Sequence, residues 1–175
     1  MLHVVFDLDD TPFFTRDAVR KAYVRAGVIM PDDMWGKPWR FWTTAEVHAR
    51  KIREYEKMIH DDELIPATPA MTVMRELAQT GHHVYLLTGA SKMTSQRLLM
   101  REGVHPRELT GMQFNCSSLD KAKHLRNLLV VAPSVVYIDD DEEFAQHAPA
   151  GVTFVHYIGQ SKARLIKDIT WTPSS

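Results

Sequence analysis

The chain contains a single cysteine, Cys116, so no disulfide can form within it, and a lone thiol suits a reducing compartment. Charge of one sign is also missing: 21 Lys and Arg against 22 Asp and Glu leave −1 at pH 7. That balance gives no general attraction to nucleic acid or to anionic lipid, so any basic recognition surface must be local. There is no apolar run long enough to span a bilayer, no internal repeat and no low-complexity tract. No basic segment precedes an apolar one at the N-terminus, and the expectation is a cytoplasmic protein without a secretory leader or a membrane partner. What is present is 45% hydrophobic composition over 175 residues, enough for one catalytic domain with a modest insertion.

The rest of the chain is organised around residues 3–15, His-Val-Val-Phe-Asp-Leu-Asp-Asp-Thr-Pro-Phe-Phe-Thr. The apolar run Val4 to Phe6 predicts a buried strand that ends on Asp7, Asp9 and Asp10. Carboxylates this close raise one another's pKa unless a cation sits among them, and an all-oxygen donor set suits Mg²⁺. In an extended chain Asp7 and Asp9 share a face. The design returns at Val135-Val136-Tyr137-Ile138, which runs into Asp139-Asp140-Asp141-Glu142-Glu143, the last three reading as the start of a helix. Two such strand ends in one chain are far less expected by chance than one.

Between them, a strand over 83–87 ends in Thr88-Gly89-Ala90-Ser91 and leads to a helix over 92–102. This places a hydroxyl and backbone N–H groups at a helix N-terminus, where an anion can bind. A short strand over 111–116 precedes Ser117-Ser118-Leu119-Asp120-Lys121-Ala122-Lys123, and a Ser or Asp cap there starts a helix that runs to 129. A lysine in that first turn opposes the helix dipole, so its position asks for a reason. Cys116 reads as a small buried hydrophobe. Further helices are expected over 16–26, 70–80 (with Gly81 as its stop) and 161–167, and a last strand over 152–158. The tail Trp171-Thr-Pro-Ser-Ser reads as mobile, with Trp171 able to dock.

Residues 28–42 differ in character: Trp35, Trp39, Phe41 and Trp42 crowd together with Lys37 and Arg40. Aromatics interleaved with cations serve a base-stacking, phosphate-steering surface, and they equally serve the core of a small helical subdomain. A helix over 43–60 follows, with Thr43 or Thr44 as cap and Glu46 near N3. Its expected apolar face is Val47, Ile52, Tyr55 and Ile59.

The stretch Asp7-Leu8-Asp9-Asp10-Thr11 behind an apolar strand resembles motif I of the haloacid dehalogenase (HAD) superfamily of phosphohydrolases. Thr88 resembles motif II, Lys121 (or its runner-up Lys123) motif III, and Asp139-Asp140 motif IV. The resemblance covers nearly the whole chain outside 15–64. It implies an α/β fold, a Rossmann-like parallel sheet with helices on both faces, formed by 1–14 and 65–175. Residues 15–64 would be a small C1-type helical cap inserted after the first strand. Asp7 would be the nucleophile that carries an aspartyl-phosphate, and Asp9 the general acid and base. Thr88, Gly89 and Lys121 would bind the phosphoryl group. Mg²⁺ would be held by Asp7, the Asp9 backbone carbonyl and Asp139 or Asp140. Trp39 and Arg40 are candidate substrate contacts.

Pro12 departs from the large apolar residue that usually follows the Thr, which changes the local flap. Asp9 and the acidic motif IV argue against dehalogenation, which needs neither. The implied activity is hydrolysis of a small phosphate ester, a nucleotide by a likeness to small deoxyribonucleotidases. A polynucleotide 3'-phosphatase, a phosphomutase and a catalytically idle module binding a phosphorylated ligand are the alternatives.

Overall fold

The computed structural model describes residues 1–170; the tail 171–175, and with it the docking expected of Trp171, lies outside them. Five short segments form one sheet: β1 (His3–Phe6), β2 (His83–Leu87), β3 (Gly111–Gln113), β4 (Val135–Asp139) and β5 (Val152–His156). Their order is β3-β2-β1-β4-β5, and every neighbouring pair is parallel. Parallel neighbours need crossovers. The helices are α1 (Arg16–Arg25), α2 (Ala45–His60), α3 (Pro69–Gln79), α4 (Lys92–Arg101), α5 (Ser118–Leu129) and α6 (Lys162–Thr170). This is the α/β, Rossmann-like class expected from the sequence.

The central strands are covered on both faces, which is why they read as continuous apolar runs and not as alternation. Val4, Val5 and Phe6 are all fully buried. On one face Val5, Leu87, Tyr137 and Phe144 pack with Ala122 and Leu125 of α5. Helices α3 and α6 pack together, with Met71, Met74, Leu165 and Ile169 buried. The chain divides into two compact units, Met1–Phe13 with the chain from Ala67 onward, and Phe14–Pro66. Among the described residues no helix is long and apolar enough to cross a membrane.

Several boundaries move for local reasons. Strand β3 stops at Gln113, short of 116, and Asn115 then turns the chain with φ +55°. Strand β5 stops at His156, and α6 runs on to Thr170. The acids after β4 start only a 3₁₀ turn, Glu142–Gln146, whose cap Asp141 accepts from the Glu143 N–H at 3.0 Å. Helix α3 begins at Pro69, with Thr68 as its N-cap. Thr68 Oγ1 accepts from the Ala70 N–H and donates to the Thr11 carbonyl, tying the loop after β1 to the start of α3. Of the two phenylalanines in that loop, Phe13 is buried and Phe14 is half exposed.

In the unit 14–66, α2 is capped by Thr44, which accepts from the Val47 N–H at 3.3 Å. Glu46 is therefore at N2 and makes no capping box. The buried side of α2 is Tyr55, Met58 and Ile59, while Ile52 is exposed. Its seam toward α1 passes instead through His48 and Lys51, because Tyr23 donates to or accepts from His48 Nδ1 at 2.9 Å and Lys51 sits 5.4 Å from the Tyr23 and Tyr55 rings. The expected crowding of aromatics resolves into pairings, two of them joined through the Tyr23–His48 hydrogen bond. Trp42 meets Tyr23 edge-on at 4.6 Å, and Trp39 stacks on His48 at 4.6 Å. Arg16 covers Trp35, and Arg40 covers the exposed Phe41.

At the far end of the strands, His3 stacks on its cross-strand neighbour His83 at 4.4 Å. Burial, then His83 and the N-terminal amine, hold the His3 pKa below its ordinary 6.5. The folded chain thus keeps His3 neutral where the unfolded chain would take up a proton, so stability is full above pH 6.5 and is lost as pH falls through the depressed folded-state value. His3→Phe keeps a stacking ring without the titration. Its urea midpoint is expected to fall less than that of the wild type between pH 7.5 and pH 5.5; equal falls would sink this assignment.

Candidate active site

In the strand order β3-β2-β1-β4-β5 the crossovers diverge from β1, and the crevice at the carboxyl ends of β1 and β4 is the switch point where such sheets bind ligands. The register Phe6↔Ile138 puts the next residues of the two strands side by side, and the Asp7 N–H still donates to the Ile138 carbonyl at 2.9 Å. Asp7 and Asp139 are thereby carried into the interior, 5% and 1% exposed.

Helix α5 supplies the cation. Ser117 and Asp120 form a capping box: Ser117 Oγ accepts from the Asp120 N–H at 3.2 Å, and Asp120 Oδ2 accepts from the Ser117 N–H at 3.0 Å. The hydroxyl and backbone of Ser117 hold the Asp120 carboxyl below the usual carboxylate range. With the helix start fixed, Lys121 Nζ donates to Asp7 Oδ1 at 2.8 Å and to Asp139 Oδ2 at 3.0 Å. Lys123 is exposed on the opposite side of that turn. Of the two lysines left open by the sequence, only Lys121 meets the carboxylates.

The carboxylates that converge are Asp7, Asp139 and Asp140, whose ligand oxygens lie within 4.8 Å of one another. They are not the sequence-adjacent trio 7, 9 and 10. Strand β1 ends at Phe6, so the period-two argument for Asp7 and Asp9 stops short of them; Asp9 is half-buried and bridges to Phe13, and Asp10 takes φ +51°. One ammonium among three carboxylates cannot balance them. Burial pushes the Asp7 carboxyl well above its usual range; Lys121 pulls it back only in part, and the Asp139 and Asp9 carboxylates push it further up. Burial, then Asp139 and Asp10, push Asp140 up to about 7. Burial alone would push Lys121 down, but Asp7 and Asp139 outweigh it and hold the ammonium above the ordinary lysine value.

The two motif IV carboxylates are not equivalent. Asp139 Oδ1 accepts from the Asp141 N–H at 3.0 Å, and Oδ2 accepts from Lys121 and from the Tyr137 hydroxyl. No donor among the described residues hydrogen-bonds the Asp140 carboxylate, whose backbone carbonyl accepts from His156 Nε2 at 3.0 Å. The sequence pattern by itself gives Tyr137 and His156 no role in the site. For Tyr137 a signal existed, since a residue two before Asp139 on a strand must share its face.

Thr88 is fully buried, and its Oγ1 accepts from the Ala90 N–H at 3.0 Å, leaving the hydroxyl proton to donate. Gly89 is exposed, and a Cβ there would meet only Cys116 O at 3.5 Å, so packing does not demand glycine. Ser91 caps α4 by accepting from the Thr94 N–H at 3.3 Å. Cys116 is half-buried and not a core residue, because β3 has already ended; burial and then Asp120 push its thiol up. Trp39 and Arg40 belong to the unit 14–66, in the pairings described above.

No protein-family model and no curated protein sequence matches the chain. Solved structures do. CbbY from Rhodobacter sphaeroides, in complex with phosphate, is 17% identical with a TM-score of 0.66, covering 91% of this chain and 88% of that one. The archaeal beta-phosphoglucomutase from Pyrococcus sp. strain ST 04 is 14% identical with a TM-score of 0.64, covering 98% and 100%. The HAD-hydrolase YfnB from Bacillus subtilis, bound to magnesium, is 12% identical with a TM-score of 0.62, covering 97% and 98%. The fold of this chain is that of the HAD hydrolases.

Proposed function

We propose that the protein is a phosphohydrolase that removes a phosphoryl group from a small phosphate ester through an aspartyl-phosphate on Asp7. The observation that carries this reading is the Lys121 ammonium bridging two buried carboxylates from adjacent strand ends, Asp7 and Asp139, with Asp140 beside them. Buried acids that outnumber their cation are destabilising by themselves, and such an excess marks a functional site.

In the proposed reaction Asp7 Oδ1 stays bonded to Lys121, and its other carboxylate oxygen attacks phosphorus. The bond from phosphorus to the leaving oxygen breaks, and Asp9 gives that oxygen a proton. Asp9 then takes a proton from water as the water oxygen attacks the phosphoryl group, which releases orthophosphate and restores the Asp7 carboxylate. Lys121 and the Thr88 hydroxyl stabilise charge on the equatorial oxygens. The donor set fits Mg²⁺: all oxygens, desolvated and short of positive charge. Asp7, Asp140 and the Asp9 carbonyl would hold it, Asp139 being engaged by three chain donors. Bound Mg²⁺ supplies the positive charge that the carboxylates and the phosphoryl oxygens lack. Transfer to a sugar hydroxyl instead of water, the fate implied by the word phosphomutase, would use the same groups.

We assign 14–66 the role of a cap and the remaining chain that of the catalytic core, with a cytoplasmic location in keeping with the lone thiol. CbbY has also been crystallised with xylulose-(1,5)bisphosphate, which supports a small phosphorylated substrate. Turnover of p-nitrophenyl phosphate separates an enzyme from an idle binding module, and a panel of sugar phosphates, nucleotides and 3'-phosphorylated oligonucleotides then selects the substrate. No hydrolysis of any of these with Mg²⁺ present would defeat the reading.

The likeness to deoxyribonucleotidases rests on the sequence alone, and Trp39 is where it is tested. One ring face lies on His48, and the residue is only half-buried. If its other face stacks on a base, Trp39→Ala raises KM for the preferred nucleotide and lowers kcat/KM roughly five- to hundredfold, with p-nitrophenyl phosphate turnover little changed. Equal damage to both substrates together with a lower Tm would make the ring a packing residue, and a non-nucleotide ester the substrate.

A further inference from the structure

Tyr137 has no role in the reaction as proposed, yet its phenol lies in the middle of the machinery. It is fully buried, edge-on to Phe144 at 5.1 Å and tilted against Phe154 at 6.2 Å. A phenylalanine would fill that apolar space equally well. The hydroxyl is therefore the informative atom, and it donates to Asp139 Oδ2, the same oxygen that receives Lys121. Oδ1 is taken by the Asp141 N–H. Three chain donors thus fix the plane of one carboxylate, while that of its neighbour Asp140 has none among the described residues.

The geometry points to Tyr137 as a positioning residue: its hydroxyl turns the Asp139 carboxylate onto Lys121, making Asp139 the anchor of the ammonium and leaving cation ligation to Asp140 and Asp7. This rests on the phosphatase reading. Lys121 Nζ is held between Asp7 Oδ1 and Asp139 Oδ2, at 2.8 and 3.0 Å, so a rotation of Asp139 would release one of its two tethers. The ammonium would then sit off the phosphoryl oxygens, and misplacement by about 1 Å is enough to cost a large factor in rate.

The test is Tyr137→Phe in the full chain, with two readouts: steady-state hydrolysis of p-nitrophenyl phosphate, and calorimetric titration of the metal-free protein with Mg²⁺ alone. The expected result is a kcat lower by about tenfold or more with KM within about twofold. Mg²⁺ should bind the variant as tightly as the wild type or more tightly, because the freed Asp139 oxygen can join the ligand set. Mg²⁺ affinity that falls in step with kcat would make Asp139 a cation ligand and overturn the proposal. So would a lower Tm with kcat and affinity both unchanged, which is what mere packing predicts. Phe144→Leu is the packing control, since it loosens the ring without touching the hydroxyl: Tm should drop while kcat and Mg²⁺ affinity hold.

Asp139→Asn decides the matter independently of whether Tyr137→Phe folds. Mg²⁺ affinity within about threefold of wild type fits an anchor, and a loss of tenfold or more overturns it. A wild type that hydrolyses nothing defeats the phosphatase reading, while both titrations still discriminate anchor from ligand. A wild type that binds no Mg²⁺ removes Asp140 as ligand and the proposal with it.

Discussion

Asp7→Asn should abolish phosphatase activity, by on the order of 10⁴- to 10⁶-fold in kcat, because no other side chain in the cluster can replace the attacking oxygen. The substitution is nearly isosteric, and the amide oxygen can still accept from Lys121, so the fold should survive. Its stability is the more discriminating readout. Asp7 is buried among Asp139 and Asp140 with one ammonium for three carboxylates, and its carboxyl is pushed well above the usual range by that burial. In EDTA the variant should therefore melt no lower than the wild type, an instance of a site that gives up stability for function. Asp9→Asn, outside the converging trio, should lose roughly 10²- to 10⁴-fold, the range for a general acid and base. Measurable single-turnover release of phosphate by Asp7→Asn, or full wild-type activity in EDTA, would remove Asp7 as nucleophile.

Lys121→Ala should be damaging twice over. Its ammonium is 12% exposed and bonded to two carboxylates, so removing it leaves uncompensated buried charge. Breaking a buried pair in this way costs about 3–5 kcal/mol, and a urea melt of the metal-free variant should show a loss of that order near pH 8. The loss should shrink as pH falls, since Asp7 can then take up a proton. Added Mg²⁺ should restore part of the stability by replacing the missing charge. It should not restore the rate, which is expected to be lower on the order of a hundredfold or more, because the ammonium is aimed at the transferring group. Lys123→Ala, exposed two residues on, should lie within about 0.5 kcal/mol of wild type and keep its activity. If Lys123→Ala is the slower of the two, the lysine role belongs there, and α5 must sit differently in the working enzyme.

What lay open in the sequence was the local chemistry. Val4 to Phe6 and Val135 to Ile138 are apolar runs closed by acid, and a strand's direction alone delivers Asp7 and Asp139 to one edge of a parallel sheet. Thr88 after β2 and a Ser-x-x-Asp box before α5 are likewise readable, because caps and turns depend on residues a few positions apart. The alternation of such strands with helices fixes the fold class.

The choices between neighbours needed the tertiary structure, because each depends on contacts across more than a hundred residues or between separate elements. The sequence favoured Lys121 with Lys123 as runner-up, and the pitch of α5 over the β1–β4 crevice separates them. Sequence adjacency set Asp9 and Asp10 beside Asp7 and the family resemblance added Asp139 and Asp140, while strand register is what brings Asp139 and Asp140 into one cluster with Asp7. The aromatic segment 35–42 has a composition that serves either binding or packing, and its rings turned out to be distributed among Arg16, His48, Tyr23 and Arg40. Likewise, Asp139 and Asp140 are identical letters in sequence. Their difference in bonding exists only because Tyr137, Asp141 and a helix from elsewhere in the chain donate to the first, while no donor among the described residues hydrogen-bonds the carboxylate of the second.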